Sequence, residues 1–415
     1  MPGVKLTFIP SKQFKTIRIN ISFAKAVASK KELAMRTLIA NVLEMSSQNY
    51  PDQKKVSDQL ALLYGATFGT SVNRRGNLHL LSFEMRVVND RYLKQKANLL
   101  FEACAFLKEV IFNPLIQGAA FEEATFLRQQ KNLIAYIDSV QDNKQAYALQ
   151  SVQEMYFEKA VQKVQPYGDS ASIAQLTASE CYTYYQKMLA EDEVNIVLSG
   201  DVEQQEVLTA MAQFNFTARK ENQAELVYQQ EQRDFIEREE SQSLSQSKLD
   251  LAYALPVAYR SELHYAALVF NALFGGSALS KLFVNVREKE SLAYYANSSF
   301  DSFRQVMFVQ TGIQAENKEK VFQLITKQLE DLKAGKVEDE LLVNIKQELL
   351  TDYEIRQDSQ AVALIQEIVD SLSKSQVSPA EWKAKLLAVT IEDVKAVAKL
   401  VHLEASYFLK GAEVN

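Results

Sequence analysis

Residues 246–255, QSKLDLAYAL, decide the fold, because they repeat a pattern already present at residues 16–24, TIRINISFA. In both stretches large apolar side chains alternate with polar or small ones, the period of a strand with one buried face. A helical pattern follows each: ELAMRTLIANVLEMSS (32–47) after the first, LHYAALVFNALF (263–274) after the second. A second step, strand then helix, in LLSFEMRVVNDRYLKQKANLLFEACAFL (80–107) returns in VMFVQTGIQAENKEKVFQLITKQLEDL (306–332). Order and offset, about 230 residues in both cases, agree, so duplication is the economical reading. Strands in hairpins with helices between them predict an α+β protein of two similar domains, each a mainly antiparallel sheet covered by helices.

Local signals fill in the elements. Ser29 and Glu32 form a capping box that opens the first helix, and Pro51 holds Tyr50 out of helical geometry after it. Gly65 stops a second helix, KKVSDQLALLYG (54–65), and Arg75-Gly76-Asn77 turns the hairpin ATFGTSVNRRGNLHLLSFEMRV (66–87). Helix is expected from about Asp90 to Glu109 and from Phe121 to Tyr156, and a strand at EVNIVLSGDV (193–202). Residues 219–246 hold six Glu and six Gln among few apolar residues. That composition predicts a linker leading into the next strand, with an N-terminal domain over 1–218 and a C-terminal domain over 247–415.

The 415 residues suffice for two or more domains, and the balance of 47% hydrophobic and 24% charged residues is that of a globular chain. A formal charge of −6 without a basic run leaves little for nucleic acid to recognise. No window is apolar enough to span a bilayer, and the first residues alternate like a strand rather than a secretory leader. Cys104 and Cys181 lack metal or redox spacing, which suits buried thiols in a reducing compartment, and cytoplasm is the expected location.

Chemistry concentrates in two motifs. NVLEM (41–45) places Asn41, Glu44 and Met45 on one helix face with the spacing of the inverted zinc motif H-x-x-E-H, but with both histidines replaced. An Asn amide is a poor zinc ligand and a thioether prefers softer metals. The plain reading of Glu44 is a surface or capping carboxylate, and of Met45 a continuation of the apolar line through Leu38 and Val42. The second motif, FGGSALSKLFVNVREKESLAYYANSSF (274–300), has a glycine pair, Gly275 and Gly276, then R-E-K-x-x-L-A-Y from Arg287 to Tyr294. A guanidinium and a phenol can both donate to a peptide carbonyl. His79, His264 and His402 are far apart in sequence and without ligand spacing, so no second metal site and no cofactor is expected.

Together these motifs resemble the pitrilysin/insulinase family of zinc peptidases, over nearly the whole chain. AYIDSVQDNKQAYA (135–148) and SDQLALLYGATFGTSVNRRGN (57–77) are similar to its bacterial YfmF-like branch, which is associated with 5-aminopentanol modification of elongation factor P. The resemblance implies a peptide-sized chamber shared with a partner half, two histidines and a distal glutamate on zinc, and the motif glutamate activating water. By helix pattern the distal ligand position falls on Tyr136, with Gln129 at the acidic position seven residues earlier; literal spacing would select Glu122. Arg287 and Tyr294 correspond to the family's peptide-contacting pair. The resulting expectation is a non-catalytic peptidase-like subunit that binds peptide beside a zinc-bearing paralogue. The alternatives are a metallopeptidase with a rearranged site and a homodimeric peptide-binding module.

Overall fold

The computed structural model of the chain describes residues 1–94, 97–221 and 224–412. The first half runs β1 (Val4–Pro10), β2 (Thr16–Ala26), α1 (Lys30–Met45), α2 (Gln53–Leu62), β3 (Thr67–Arg75) and β4 (Leu78–Val88). It continues through α3 (Leu99–Phe112), the short pair β5 (Ile116–Gln117) and β6 (Ala120–Phe121), α4 (Glu123–Ser139), α5 (Lys144–Tyr156) and α6 (Ala160–Lys163). After these come α7 (Ser170–Ala174), α8 (Ala178–Glu191), β7 (Glu193–Gly200) and α9 (Gln204–Met211). The second half has β8 (Ile236–Ser243), β9 (Ser247–Ala254), α10 (His264–Asn271), β10 (Ala293–Asp301) and β11 (Val306–Ile313). It closes with α11 (Lys318–Lys333), α12 (Asp339–Gln357), α13 (Gln360–Ser373), α14 (Pro379–Ala388), α15 (Ile391–Leu400) and β12 (His402–Ala412).

Two five-stranded sheets carry the duplication. The first has the order β1-β7-β2-β4-β3 and the second β8-β12-β9-β11-β10. In each the outermost pair at one end, β1 with β7 and β8 with β12, is parallel, and the other pairs are antiparallel. The equivalence β2 with β9 and β4 with β11 is the one the repeated sequence predicts.

Two compact units form, and they are not contiguous in sequence. One comprises Met1–Asp138, Gln165–Ala224 and Gln357–Lys374; the other Ser139–Val164, Glu225–Arg356 and Ser375–Asn415. Both units change over between residues 224 and 225, inside the stretch read as a linker, of which residues 222 and 223 lie outside the described residues. A sequence-based division at that stretch misses an exchange of helices: α5 belongs to the second unit and α13 to the first. Within the second unit α5 packs on β9 and β12 through Ala148, Val152, Met155 and Tyr156, in a cluster with Ala252, Phe308, Ala405 and Tyr407. Within the first, α13 lies on β7 and β2 with more polar contacts. Gln360 Nε2 donates to the Ser199 carbonyl at 2.9 Å and Ser371 Oγ to Asn195 Oδ1 at 2.6 Å.

Helix α1 forms as read. Ser29 Oγ accepts from the Glu32 amide at 3.1 Å, while the Glu32 carboxylate accepts from the Ala28 amide at 2.9 Å, one residue before the position a strict capping box uses. Leu38, Ile39, Val42 and Leu43 face the core of the first unit. Each such side chain contributes about 1.5–3 kcal/mol on full burial. The helix expected over Asp90 to Glu109 is shorter: a single 3₁₀ turn at Asp90–Tyr92 precedes α3. Residues 95 and 96 lie outside the described residues; the Asp90 carboxylate reaches forward to accept from the Leu99 amide at 3.0 Å. The helical run from Phe121 to Tyr156 is broken after Ser139, where the chain leaves one unit for the other.

Candidate functional site

The spacing of NVLEM puts Glu44 on the side of α1 that meets β3, the edge strand of the first sheet. Glu44 Oε2 accepts from the Thr70 amide at 2.8 Å and from Thr70 Oγ1 at 2.7 Å, and the same hydroxyl lies 3.1 Å from the Ala40 carbonyl. An amide on an edge strand that donates to a side chain has no strand partner there, so Glu44 satisfies an otherwise open donor. Asn41 and Met45, at the positions of the replaced histidines, are half-buried.

Tyr136, expected at the third ligand position, is 57% exposed near the end of α4 and packs edge-on against Tyr167 with centroids 5.7 Å apart. Gln129 is buried on the same helix. Glu122, the choice of literal spacing, caps α4: it accepts from the Thr125 amide at 2.7 Å and the Ala124 amide at 3.2 Å. The residues do not fit zinc. An amide, a thioether and a surface phenol replace three strong ligands, and the remaining carboxylate is committed to Thr70. Among the described residues no group of three or more His, Cys, Asp or Glu is placed to hold a metal ion.

The second motif lies in the second unit on unusual backbone. Two π-helical stretches, Ala272–Gly276 and Phe283–Lys289, flank its Ser-rich turn, a geometry that collects at functional sites. Arg287 stacks its guanidinium over Phe283 at 4.5 Å and lies 3.7 Å from Glu288 Oε1. Tyr294 sits at a register shift in the edge strand β10, where a bulge turns its side chain; it is 59% exposed and its hydroxyl accepts from Gln314 Nε2 at 2.8 Å. The glycine pair has a packing reason. A Cβ at Gly275 would lie 2.6 Å from the Ser298 amide nitrogen of β10, and one at Gly276 2.6 Å from Asn271 Nδ2.

Residues 175–349 match the family model described as the peptidase M16 inactive domain. Over 419 aligned residues the chain is 28% identical to the "Probable inactive metalloprotease YmfF" of Bacillus subtilis, covering 99% of this chain and 96% of that one; the name is YmfF rather than the YfmF of the sequence resemblance. A conserved protein from Enterococcus faecalis, solved by crystallography, shares 41% identity with a TM-score of 0.94, over 100% of this chain and 98% of its own. The chain thus carries an M16 inactive domain and is similar over its whole length to M16-like chains. M16 is the pitrilysin/insulinase family, and its fold is repeated in a Pseudomonas fluorescens peptidase M16 inactive domain at 18% identity and TM-score 0.80, over 99% and 96% of the two chains. The inactive-domain model covers residues 175–349, and the relative that spans the whole chain is itself described as a probable inactive metalloprotease, which is consistent with a peptidase-like chain that is not a catalyst.

Sequence reading missed one buried network of the first unit. Arg36 on α1 is fully buried; its Nε donates to His79 Nδ1 at 2.9 Å, its Nη2 to the Phe23 carbonyl at 2.7 Å, and its Nη1 pairs with Asp192. Burial and the neighbouring Arg36 charge hold His79 well below the usual imidazole range, so the neutral ring accepts at Nδ1 and donates from Nε2 to the Pro166 carbonyl at 2.9 Å. The signal was an Arg in the apolar run LAMRTLIA, which a buried charge makes informative. His264 is buried at the start of α10, whereas His402 is exposed. Cys104 and Cys181 are buried free thiols, both pushed up to about 12 by burial, and so are inert as nucleophiles near neutral pH. No helix among the described residues is long and apolar enough to cross a membrane.

Proposed function

We propose that this chain is a non-catalytic peptide-positioning subunit that pairs with a zinc-bearing M16 relative. The observation that carries the reading is the contrast between its two motifs. Asn41, Met45 and Tyr136 replace the metal ligands and Glu44 is tied to Thr70, whereas Arg287 and Tyr294 remain, half-exposed and exposed, beside an edge strand. An extended peptide adds to such an edge through backbone hydrogen bonds, with the phenol and guanidinium available as further donors. Gly275 serves this arrangement by letting the π-helical turn approach β10, and Gly276 by leaving room for Asn271.

In this reading the partner supplies zinc and the hydrolytic step, in the cytoplasm. The association with 5-aminopentanol modification of elongation factor P rests on the branch resemblance and is part of the same proposal. The test is peptide turnover by the mixed pair: Arg287→Ala weakens it, whereas Glu44→Gln leaves it nearly unchanged. Loss with Glu44→Gln and tolerance of Arg287→Ala would favour a rearranged catalytic site in this chain instead.

A further inference from the structure

The outer face of the first sheet sets two arginines directly opposite each other. Arg18 on β2 and Arg86 on β4 are register partners, and Thr67 on β3 is the partner of Arg86 on its other side. Like charges at opposed positions disfavour the pairing. Glu84, two residues along β4, meets only Arg18, with Nη2 and Oε2 3.0 Å apart. Arg86 is exposed and has no ion-pair partner among the described residues. Beside these groups is a recess of about 320 Å³ whose lining includes Arg18, Arg86, Glu84, Thr67, Gly69 and Ser71. Two guanidinium groups and one carboxylate leave it with one positive charge in excess.

The duplicated fold supplies a comparison. In the second sheet the equivalent register triple is Lys248, Gly312 and Tyr295. There the space is filled by protein: a Cβ at Gly312 would lie 2.4 Å from Tyr295 Cε1, and Lys248 Nζ lies 5.2 Å from the centre of that ring. Arg86 stands where the second sheet has Gly312, and Thr67 where it has Tyr295.

We propose that this recess is a carboxylate-binding subsite on the outer face of the first sheet, taking an Asp or Glu side chain of a bound peptide. The planar fork of Arg86 matches a carboxylate in a two-bond geometry, and an anion between Arg18 and Arg86 relieves their repulsion. The subsite rests on the reading of the chain as a peptide binder.

The experiment uses the full chain and ten-residue peptides of alternating Thr and Ala, with one Glu moved through the positions and each compared with its Gln counterpart by fluorescence anisotropy. At the best position the Glu peptide binds about tenfold tighter, as one charge-assisted hydrogen-bonded pair predicts. It shifts the side-chain Nε–Hε NMR signal of Arg86. Arg86→Gln abolishes the preference, and Glu84→Gln, which frees Arg18, enlarges it; a merely structural role for either residue gives no such gain. Equal binding of Glu and Gln peptides at every position overturns the subsite and leaves peptide binding standing. Absence of binding by every peptide overturns both.

Discussion

Glu44 and Thr70 form a closed pair: one carboxylate oxygen takes both the amide at 2.8 Å and the hydroxyl at 2.7 Å. The carboxylate that would activate water in an H-x-x-E-H site instead fastens α1 to the edge of its sheet. Hydrogen bonds to a charged acceptor contribute about 1.5–3 kcal/mol, so Glu44→Ala lowers stability by roughly that amount in urea unfolding. Glu44→Gln, which keeps an acceptor oxygen, costs less than half as much. Wild-type stability in the alanine variant would remove the structural role.

Restoring the histidines does not restore the metal. Asn41→His with Met45→His still leaves a phenol, Tyr136, in place of the expected third carboxylate ligand. Zinc measured after dialysis of the double variant is expected well below one equivalent. A full equivalent would mean that a third ligand exists.

Asp250 gives the second unit a pH signature. Burial raises its carboxyl to about 8, opposed by hydrogen bonds from Gln310 and Thr311 and by the Lys248 charge. Because the folded value lies above the unfolded one near 4, the stability it contributes is complete below about pH 4 and is lost as pH rises towards 8. Asp250→Asn, neutral throughout, is therefore more stable than the parent at pH 7, by about 2–4 kcal/mol, and equal to it near pH 4. Urea midpoints at pH 4, 5.5, 7 and 8 read the difference; a constant gap across that range contradicts it.

Gly275→Ala forces a methyl group against the Ser298 amide nitrogen, 2.6 Å from the ideal Cβ. Overpacking of this kind costs about 1–3 kcal/mol. Thermal unfolding should fall by several degrees, with a loss of order in β10. An unchanged melting temperature would show that the glycine is not needed for packing.

The duplication was legible because strand periodicity is local: Ile17, Ile19 and Ile21 alternate in the same way as Leu249 and Leu251, and both sets are buried. Caps and turns were legible for the same reason, as at Ser29 and Gly76. The exchange of α5 and α13 was not, because helical periodicity states which face is apolar and not which sheet it covers. The expectation of a damaged motif at Asn41 and Met45 rests on residue types alone. The bond from Glu44 to Thr70 could not, since it joins residues on separate elements 26 positions apart. The opposed pair Arg18 and Arg86 likewise depends on strand register, which no local pattern fixes.

The claim that this chain serves as a peptide-positioning partner is tested most directly by mixing it with an M16 relative that retains H-x-x-E-H and measuring mass by light scattering across a concentration series. A stable one-to-one heterodimer, with peptide turnover that falls when Arg287→Ala is introduced, is the predicted result. Two separate species with turnover by the zinc-bearing chain unaffected would contradict it.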